Sequence, residues 1–420
     1  MSRIRVSALA NGMRVATDPM DHVETVSVGV WVEAGSRFEA ATVNGISHFL
    51  EHMVFKGTRR RDARAIAEEI EAVGGHLNAH TSREYTAFYA KVLKDNAGLA
   101  IDIIADILQN ATLDADELSR ERTVVIQEIM QAQDTPDDII FDRFQERAFP
   151  GQALGRSVLG SPERIEELTR DVLVRYMRQH YGAPRMILAA AGRIDHDALV
   201  EMATAAFAHM PNSVSGAREP AAYGGGDWRE ARDLEQAHIV LGFEGLGFRD
   251  PDFYAMSVLS TLLGGGMSSR LFQEVREKRG LVYSIYSFPA SYTDIGLFGI
   301  YAGTGEKEAE ELVPLLCSEM RAVATDIGAD ELARARAQLK AGLLMSLEST
   351  SARCEQLARQ LMVFDRPVPL AETVGRIEAV DRDAVIRTAS RLLTSTPTLA
   401  ALGPIDKVPA FAEVAAALAS

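Results

Sequence analysis

Apolar positions recur with two different periods along this chain, and each period predicts its own kind of secondary structure. Alternating or continuous apolar runs predict strands at Val26–Val32, Tyr85–Leu93, His238–Phe243 and Gly296–Tyr301. Spacings of three and four predict helices at Asn96–Gln109, Asp114–Gln133, Pro162–Tyr181 and Phe253–Leu263, and from about Asp62 to a stop at Gly74. Strands that precede blocks of helices are typical of α+β sandwiches, in which helices cover one face of a sheet.

An internal repeat divides the chain into two halves. The segment from Asp116 to Arg122 reappears from Asp330 to Arg336, an offset of 214 residues. We therefore predict an internal duplication, with two homologous α/β sandwich domains at residues 1–211 and 237–420. The linker, residues 212–236, is rich in Pro, Gly and Ser and has no sustained period.

The charge and the apolar content of the chain limit the classes of partner that it can bind. The net charge of −15 disfavours nucleic acid and an anionic membrane surface as partners. Basic peptides would be attracted, although solubility alone is the alternative explanation of this charge. No apolar run approaches the roughly 18 residues of a membrane span. The segment from Met1 to Val6 has a strand-like pattern without a targeting signal, so we predict a cytoplasmic location.

Cys317 and Cys354 lie among apolar neighbours and are expected to be buried, free side chains rather than a disulfide or a pair of metal ligands.

A metal-binding motif is the most informative chemical feature of the chain. His48 and His52 are four residues apart on a predicted helix, so both rings can reach one metal ion, and Glu51 flanks the same point. This is the H-x-x-E-H order of an inverted zinc protease site. A third ligand is needed, and the best candidate is Glu128, in a helical pattern that also places Glu121 two turns earlier on the same face.

The motif and the distant glutamate together resemble the pitrilysin or insulinase family, and specifically its mitochondrial processing peptidase branch. The resemblance covers essentially the whole chain, including Phe55-Lys56-Gly57-Thr58 after the metal helix. It implies that two sandwich domains form a clamshell around a central cleft. Within the first domain it implies that zinc is bound by His48, His52 and Glu128, that Glu51 is the general base and that Glu121 is an accessory acid.

The resemblance also implies residues that bind the substrate. Asn78 and Ala79 match an edge strand to which an extended peptide adds as a further strand, although an ordinary solvent-facing edge remains the alternative. In the second half, Arg276 and Tyr283 match a pair that reaches the substrate carbonyl and steadies a developing oxyanion. His76 and His80 are also four apart, but on a strand this spacing is roughly 13 Å, too far for one metal ion.

An acidic pair follows the proposed zinc ligand Glu128. Asp138 and Asp142 correspond to family positions that hold a substrate arginine, whereas a solvated helix face is the alternative for an acidic run of this kind. A preference for basic residues near the scissile bond is therefore a hypothesis.

The resulting interpretation is a Zn²⁺-dependent endopeptidase that cleaves short or unfolded peptides and pairs with a second copy of itself. One competing interpretation is a non-catalytic interaction protein, because some relatives of this family act as scaffolds, usually after losing metal residues. Another is a zinc hydrolase of non-peptide substrates, which would leave the peptide-binding strand without a task.

Overall fold

The computed structural model describes residues 4–419 and contains two compact units. The first unit comprises the described residues up to Met130 together with residues 156–219 and 346–368. The second comprises residues 131–155, 220–345 and 369–419. Each unit therefore contains one segment from the other half of the sequence. Of the strand-like pattern expected at Met1–Val6, the first three residues lie outside the described part of the chain.

Each unit is built on one sheet. The first unit contains strands β1 Arg5–Ala8, β2 Arg14–Pro19, β3 Thr25–Val32, β4 His76–Thr81, β5 Thr86–Leu93 and β6 Met186–Gly192, in the order β1-β2-β6-β3-β5-β4. The second unit contains β7 Gly226–Ala231, β8 Ala237–Gly245, β9 Val282–Ser291, β10 Gly296–Thr304 and β11 Thr398–Gly403, in the order β7-β11-β8-β10-β9. In each sheet one neighbouring pair is parallel, β2 with β6 and β7 with β11, and the others are antiparallel.

Helices surround the sheets. Those up to residue 206 are α1 Ile46–Val54, α2 Ala63–Glu71, α3 Ala97–Asn110, α4 Ala115–Gln133, α5 Pro136–Ala148, α6 Pro162–Glu167, α7 Arg170–His180 and α8 His196–Ala206. The later ones are α9 Phe253–Gly264, α10 Ala309–Val323, α11 Ala329–Ser346, α12 Thr350–Phe364, α13 Leu370–Glu378, α14 Arg382–Leu393 and α15 Phe411–Ala419. Across residues 4–419, no helix combines the length and the apolar character needed to cross a lipid bilayer.

The first unit buries both faces of its sheet. On one face, the alternate residues Val26, Val28 and Val30 of β3 pack with Phe49 and Ile104 from the helices α1 and α3. On the other face, side chains of β6 pack against α12, whose Cys354, Leu357 and Leu361 are buried there. The continuous apolar sequence of β6 agrees with this arrangement, because a strand covered on both faces has no polar side.

The second unit repeats this plan. Its larger core lies between the sheet and α9, α10 and α14, and α5 covers the opposite face through Ile140, Phe144 and Ala148. Cys317 is buried in the larger core, and both cysteines are free, as predicted. The α+β fold with two related sandwich units is confirmed. The prediction that helices cover only one face of each sheet was wrong. In the first unit α12 covers the second face of the sheet, and in the second unit α5 does so.

Two local predictions need correction. The helix expected at Pro162–Tyr181 is two helices, because Leu168 and Thr169 have extended backbone between α6 and α7. At the C-terminal end of α6, the side chain of Arg122 donates a hydrogen bond to the carbonyl oxygen of Leu168 at 2.8 Å. The segment 212–236 is not wholly irregular, because β7 lies within it and pairs with β11. The domain boundaries proposed from the sequence remain a prediction.

Candidate active site

The helix α1 positions the metal-binding motif. Its apolar residues Phe49, Leu50 and Met53 are fully buried in the core of the first unit. His48, Glu51 and His52 lie half-buried on the opposite side of the helix. The amphipathic spacing of the sequence therefore turns one face towards the core and leaves the other for chemistry.

A buried carboxylate replaces the missing side-chain cap at the start of α1. The residue before the helix is Gly45, which has a left-handed backbone (φ 94°) and no side chain to cap with. Glu39 accepts hydrogen bonds there from the backbone amides of Gly45 and Ser47, each at 2.8 Å, and from the side-chain amide of Asn44 at 2.9 Å. These bonds satisfy amides that a helix start leaves unpaired, and so fix the first turn, which contains His48.

The three proposed zinc ligands meet in the structure. Nε2 of His48 lies 3.2 Å from Nε2 of His52, and Oε2 of Glu128 lies 3.6 Å and 3.5 Å from these two nitrogens. Ligand atoms about 2.0–2.1 Å from a tetrahedral zinc ion are about 3.4 Å apart, so the observed separations fit one ion. Within residues 4–419 this is the only group of three His, Cys, Asp or Glu side chains with such an arrangement, and it excludes His76 and His80.

A second carboxylate orients one of the imidazoles. Glu121 is buried and lies two helical turns before Glu128 on α4. It accepts a hydrogen bond from Nδ1 of His52 at 2.8 Å. This bond places the ring proton on Nδ1 and leaves Nε2 free to bind a metal ion. Lys56 lies 2.6 Å from the other oxygen of Glu121 and so pairs with its charge.

Burial is the main influence on the pKa values of His48 and Glu51. Burial, with a smaller contribution from neighbouring His52, lowers the pKa of His48 to about 4, so that its ring is neutral and can act as a ligand. Burial raises the pKa of Glu51, and a hydrogen bond from Thr81 acts in the opposite direction. A general base with a raised pKa is better matched to neutral pH than an exposed glutamate.

The strand β4 forms one edge of the first sheet. Among the described residues it is hydrogen-bonded to a single neighbouring strand, β5. Asn78 is exposed there, and its side-chain oxygen accepts from the backbone amide of Ala79 at 2.8 Å. A cavity of about 370 Å³ adjoins this strand, with Phe55, Ile70 and Leu77 among its lining residues.

Arg276 and Tyr283 touch each other in the second unit. The guanidinium carbon of Arg276 lies 5.3 Å from the ring centre of Tyr283 and 4.8 Å from that of Phe272. Arg276 lies in a π-helical turn, Phe272–Glu277, and Tyr283 is 77% exposed. The two residues of the predicted pair are therefore in contact, and the cation lies on two aromatic faces.

Asp138 and Asp142 lie one turn apart on α5 in the second unit. Asp138 is exposed and Asp142 is half-buried. The positions share one side of the helix, as residues four apart must.

Sequence reasoning did not find three residues of the site: Glu39, Lys56 and Thr81. Lys56 follows His52 by four residues and was visible only as part of the segment after the metal helix. Glu39 and Thr81 are separated from the motif along the chain and show no local pattern that indicates a role.

These elements define a class of protein: a metal-dependent hydrolase with an inverted histidine motif on a helix beside a sheet edge. Sequence comparison specifies the class further. The profile described as insulinase (peptidase family M16) matches residues 14–162, and that described as the peptidase M16 inactive domain matches residues 167–339. The chain belongs to the insulinase (M16) family, in the branch that resembles the mitochondrial processing peptidases, and Zn²⁺ is the cofactor of this family.

Relatives that align with nearly the whole of this chain support this assignment. An uncharacterized zinc protease of Rickettsia felis is 38% identical over 402 residues, which are 96% of this chain and 98% of the relative. The probable mitochondrial-processing peptidase subunit beta of Arabidopsis thaliana is 40% identical and covers 97% of this chain and 80% of its own length. A protease from Helicobacter pylori of known structure has the same fold, with a TM-score of 0.88 and 24% identity over 96% of this chain and 100% of its own.

Proposed function

We propose that this protein is a zinc endopeptidase that cleaves extended peptides. The observation that carries the proposal is the meeting of His48, His52 and Glu128 at separations suited to one zinc ion, with Glu51 on the same helix face. The names of the bacterial relatives, which include zinc proteases, agree with it.

The mechanism assigns a role to each group. Zinc, when bound, supplies Lewis-acid polarisation of the scissile carbonyl and of a water molecule. Glu51 accepts the proton of the attacking water and later delivers it to the leaving amine. Glu121 holds His52 in the tautomer that a metal requires. Arg276 and Tyr283 supply donors for the negative charge that develops on the carbonyl oxygen.

The substrate is proposed to bind as an added strand on β4. An extended peptide forms main-chain hydrogen bonds with a free sheet edge, and alternate side chains enter neighbouring pockets. Asn78 and Ala79 lie on this edge, and the adjoining cavity lined by Phe55, Ile70 and Leu77 suits one apolar side chain. Peptides that are short or unfolded can adopt the extended form, whereas a folded protein cannot.

Three finer features belong to the same proposal. Asp138 and Asp142 are proposed to bind a basic side chain near the scissile bond, and the net charge of −15 attracts basic peptides in general. The protein is proposed to work as a homodimer in the cytoplasm. Sedimentation of the purified chain tests the dimer: a single monomeric species at micromolar concentration would contradict it.

A non-catalytic scaffold is the competing function. Its expected signature is a lost ligand or a lost base, and the complete set of His48, Glu51, His52 and Glu128 argues against it.

Hydrolysis of a quenched fluorescent peptide by the zinc-loaded protein tests the proposal. Replacing Glu51 with Gln should lower kcat by roughly 10²–10⁴-fold, because the proton acceptor is lost, while zinc remains stoichiometric. Glu166→Gln, an exposed position on α6, is the matched control and should keep full activity. Full activity of Glu51→Gln with zinc bound would contradict the mechanism, and an inactive wild-type protein that binds zinc would favour the scaffold.

A further inference from the structure

The last residue of β4 touches the proposed general base. The Thr81 hydroxyl donates a hydrogen bond to Oε2 of Glu51 at 2.5 Å. The direction of the bond follows from the acceptor, because an ionised carboxylate has no hydrogen to donate. Hydrogen bonds from a hydroxyl to a charged oxygen are shorter and stronger than bonds between neutral groups. Thr81 therefore restrains the carboxylate on the metal helix from a different element of the fold.

The pleat of β4 explains why the hydroxyl faces α1. Leu77, Ala79 and Thr81 are alternate residues of the strand and so lie on the same face of the sheet. Leu77 and Ala79 pack on the main core of the first unit, and α1 packs against this strand. Threonine is also branched at Cβ, which limits the rotamers through which its hydroxyl can move.

The end of β4 is fixed to the segment that leads towards α1. The carbonyl oxygens of Ser82 and Arg83 accept from the backbone amides of Ser36 and Arg37 at 3.3 Å and 2.8 Å. The approach is so close that a Cβ atom at Gly35 would lie 2.3 Å from the carbonyl oxygen of Ser82. The backbone beside Thr81 is therefore held in place relative to the loop before the metal helix.

We propose that Thr81 is a positioning residue that aligns Glu51 with a peptide bound to β4. The proposal rests on the function proposed above for Glu51 and for the β4 edge. One strand then performs two tasks: its edge, at Asn78 and Ala79, pairs with the substrate, and its last side chain holds the base. The strand that binds the peptide therefore also holds the carboxylate of Glu51, which lies on α1.

Paired substitutions at Thr81 test this role. Thr81→Val keeps the size and branching of the side chain but removes the hydroxyl, and it should lower kcat roughly tenfold to a hundredfold, since small misplacements of a catalytic group are costly. KM and zinc content should change less than about twofold, because the main chain of β4 and the zinc ligands are untouched. Thr81→Ser restores the hydroxyl and should return kcat to within about threefold of wild type.

Thr86→Val is the matched control. Thr86 lies opposite Thr81 in the β4–β5 pair, and its buried hydroxyl donates to the carbonyl oxygen of Ala34 at 2.8 Å. This variant loses a hydroxyl from the same hairpin and should keep kcat within about twofold. Unchanged kcat in Thr81→Val would overturn the proposal. So would a parallel loss of kcat, zinc and peptide affinity, because that pattern indicates a merely structural role.

A double-mutant cycle tests the contact between Thr81 and Glu51 without a measurement of activity. In zinc-free protein, Thr81→Val should shift the melting temperature more in the wild-type background than in a Glu51→Ala background, where the acceptor is absent. Equal shifts would overturn the proposal even if the enzyme is active. If the wild-type protein cleaves no peptide, the proposed function fails, whereas unequal shifts would still show that Thr81 holds Glu51.

Discussion

Oε1 of Glu121 lies 2.8 Å from Nδ1 of His52, and this contact fixes the tautomer of one proposed zinc ligand. Glu121→Gln keeps the shape of the side chain but offers a weaker, uncharged acceptor. We expect zinc affinity to fall by about 10–100-fold, the usual effect of removing such a partner from a metal-binding histidine. Competition with a chromogenic chelator measures the change.

Glu117→Gln is the control for this prediction, because Glu117 lies one turn earlier on α4 and pairs with Arg120 rather than with the site. Its zinc affinity should equal that of the wild type. If Glu121→Gln also bound zinc as tightly as the wild type, the bond to His52 would have no influence on the metal.

Lys56 extends the same chain of contacts by one charge. Its Nζ lies 2.6 Å from Oε2 of Glu121, and the lysine side chain is partly exposed. A partly exposed ion pair contributes up to about 1 kcal/mol, so Lys56→Met should weaken zinc binding only about threefold to fivefold. Lys56→Arg preserves the charge and should recover most of the loss. A loss as large in the arginine variant as in the methionine variant would mean that packing, not charge, is what matters at this position.

Short-range relations in the site could be predicted from the sequence, whereas most long-range ones could not. One helical turn fixes the arrangement of His48, Glu51 and His52, and the spacing alone predicts it. Glu128 follows His52 by 76 residues, and resemblance to a known family strengthened its assignment more than any local pattern. The contact of Thr81 with Glu51 depends on how β4 packs against α1, which no period in the sequence records.

The secondary structure has the same division. The alternating residues of β3 and the helical spacing of α3 and α4 predicted those elements to within one residue at either end. The break between α6 and α7 was missed because both helices share one apolar period. A tertiary contact lies at the break: Arg122 donates hydrogen bonds to the carbonyl oxygens of Ile165 and Leu168 at 3.3 Å and 2.8 Å.

A buried histidine outside the site should make the first unit sensitive to acid. His180 packs 4.4 Å from the ring of Tyr176, and its Nδ1 accepts from Arg185 at 3.2 Å. Burial, reinforced by Arg185, lowers the pKa of His180 to about 4. In the unfolded chain this histidine binds a proton near its ordinary pKa of about 6.5, whereas in the folded chain it does so only near pH 4. The free energy of unfolding is therefore at its full value above about pH 6.5 and decreases as the pH falls towards 4.

His180→Phe removes this titration. Between about pH 7.5 and about pH 5 the wild type should lose up to about 2 kcal/mol through this group, less where solvent screens it. The variant should therefore show a melting temperature that falls less over the same interval. Both proteins are measured without zinc, because protons also compete with metal at His48 and His52. Parallel curves for the two proteins would exclude His180 as a source of the acid sensitivity.

The acidic pair on α5 carries the prediction about substrate preference. Replacing Asp138 and Asp142 with Asn together removes two charges from one side of the helix while keeping side-chain size. If the pair binds a substrate arginine, kcat/KM for an Arg-containing peptide should fall about tenfold or more, since hydrogen bonds between charged partners are worth about 1.5–3 kcal/mol. The same peptide with Gln in place of Arg should be cleaved equally by both proteins.

Asp116→Asn with Glu117→Gln is the control for a general effect of charge, because it removes two acidic groups from the first turn of α4. Long-range attraction of basic peptides depends on total charge and should weaken equally in both double variants, and it should disappear at high salt. A selective loss in the α5 variant that persists at high salt identifies a binding site. Equal losses that vanish in salt would leave only general attraction, and the preference for basic residues would then have no residue-specific cause.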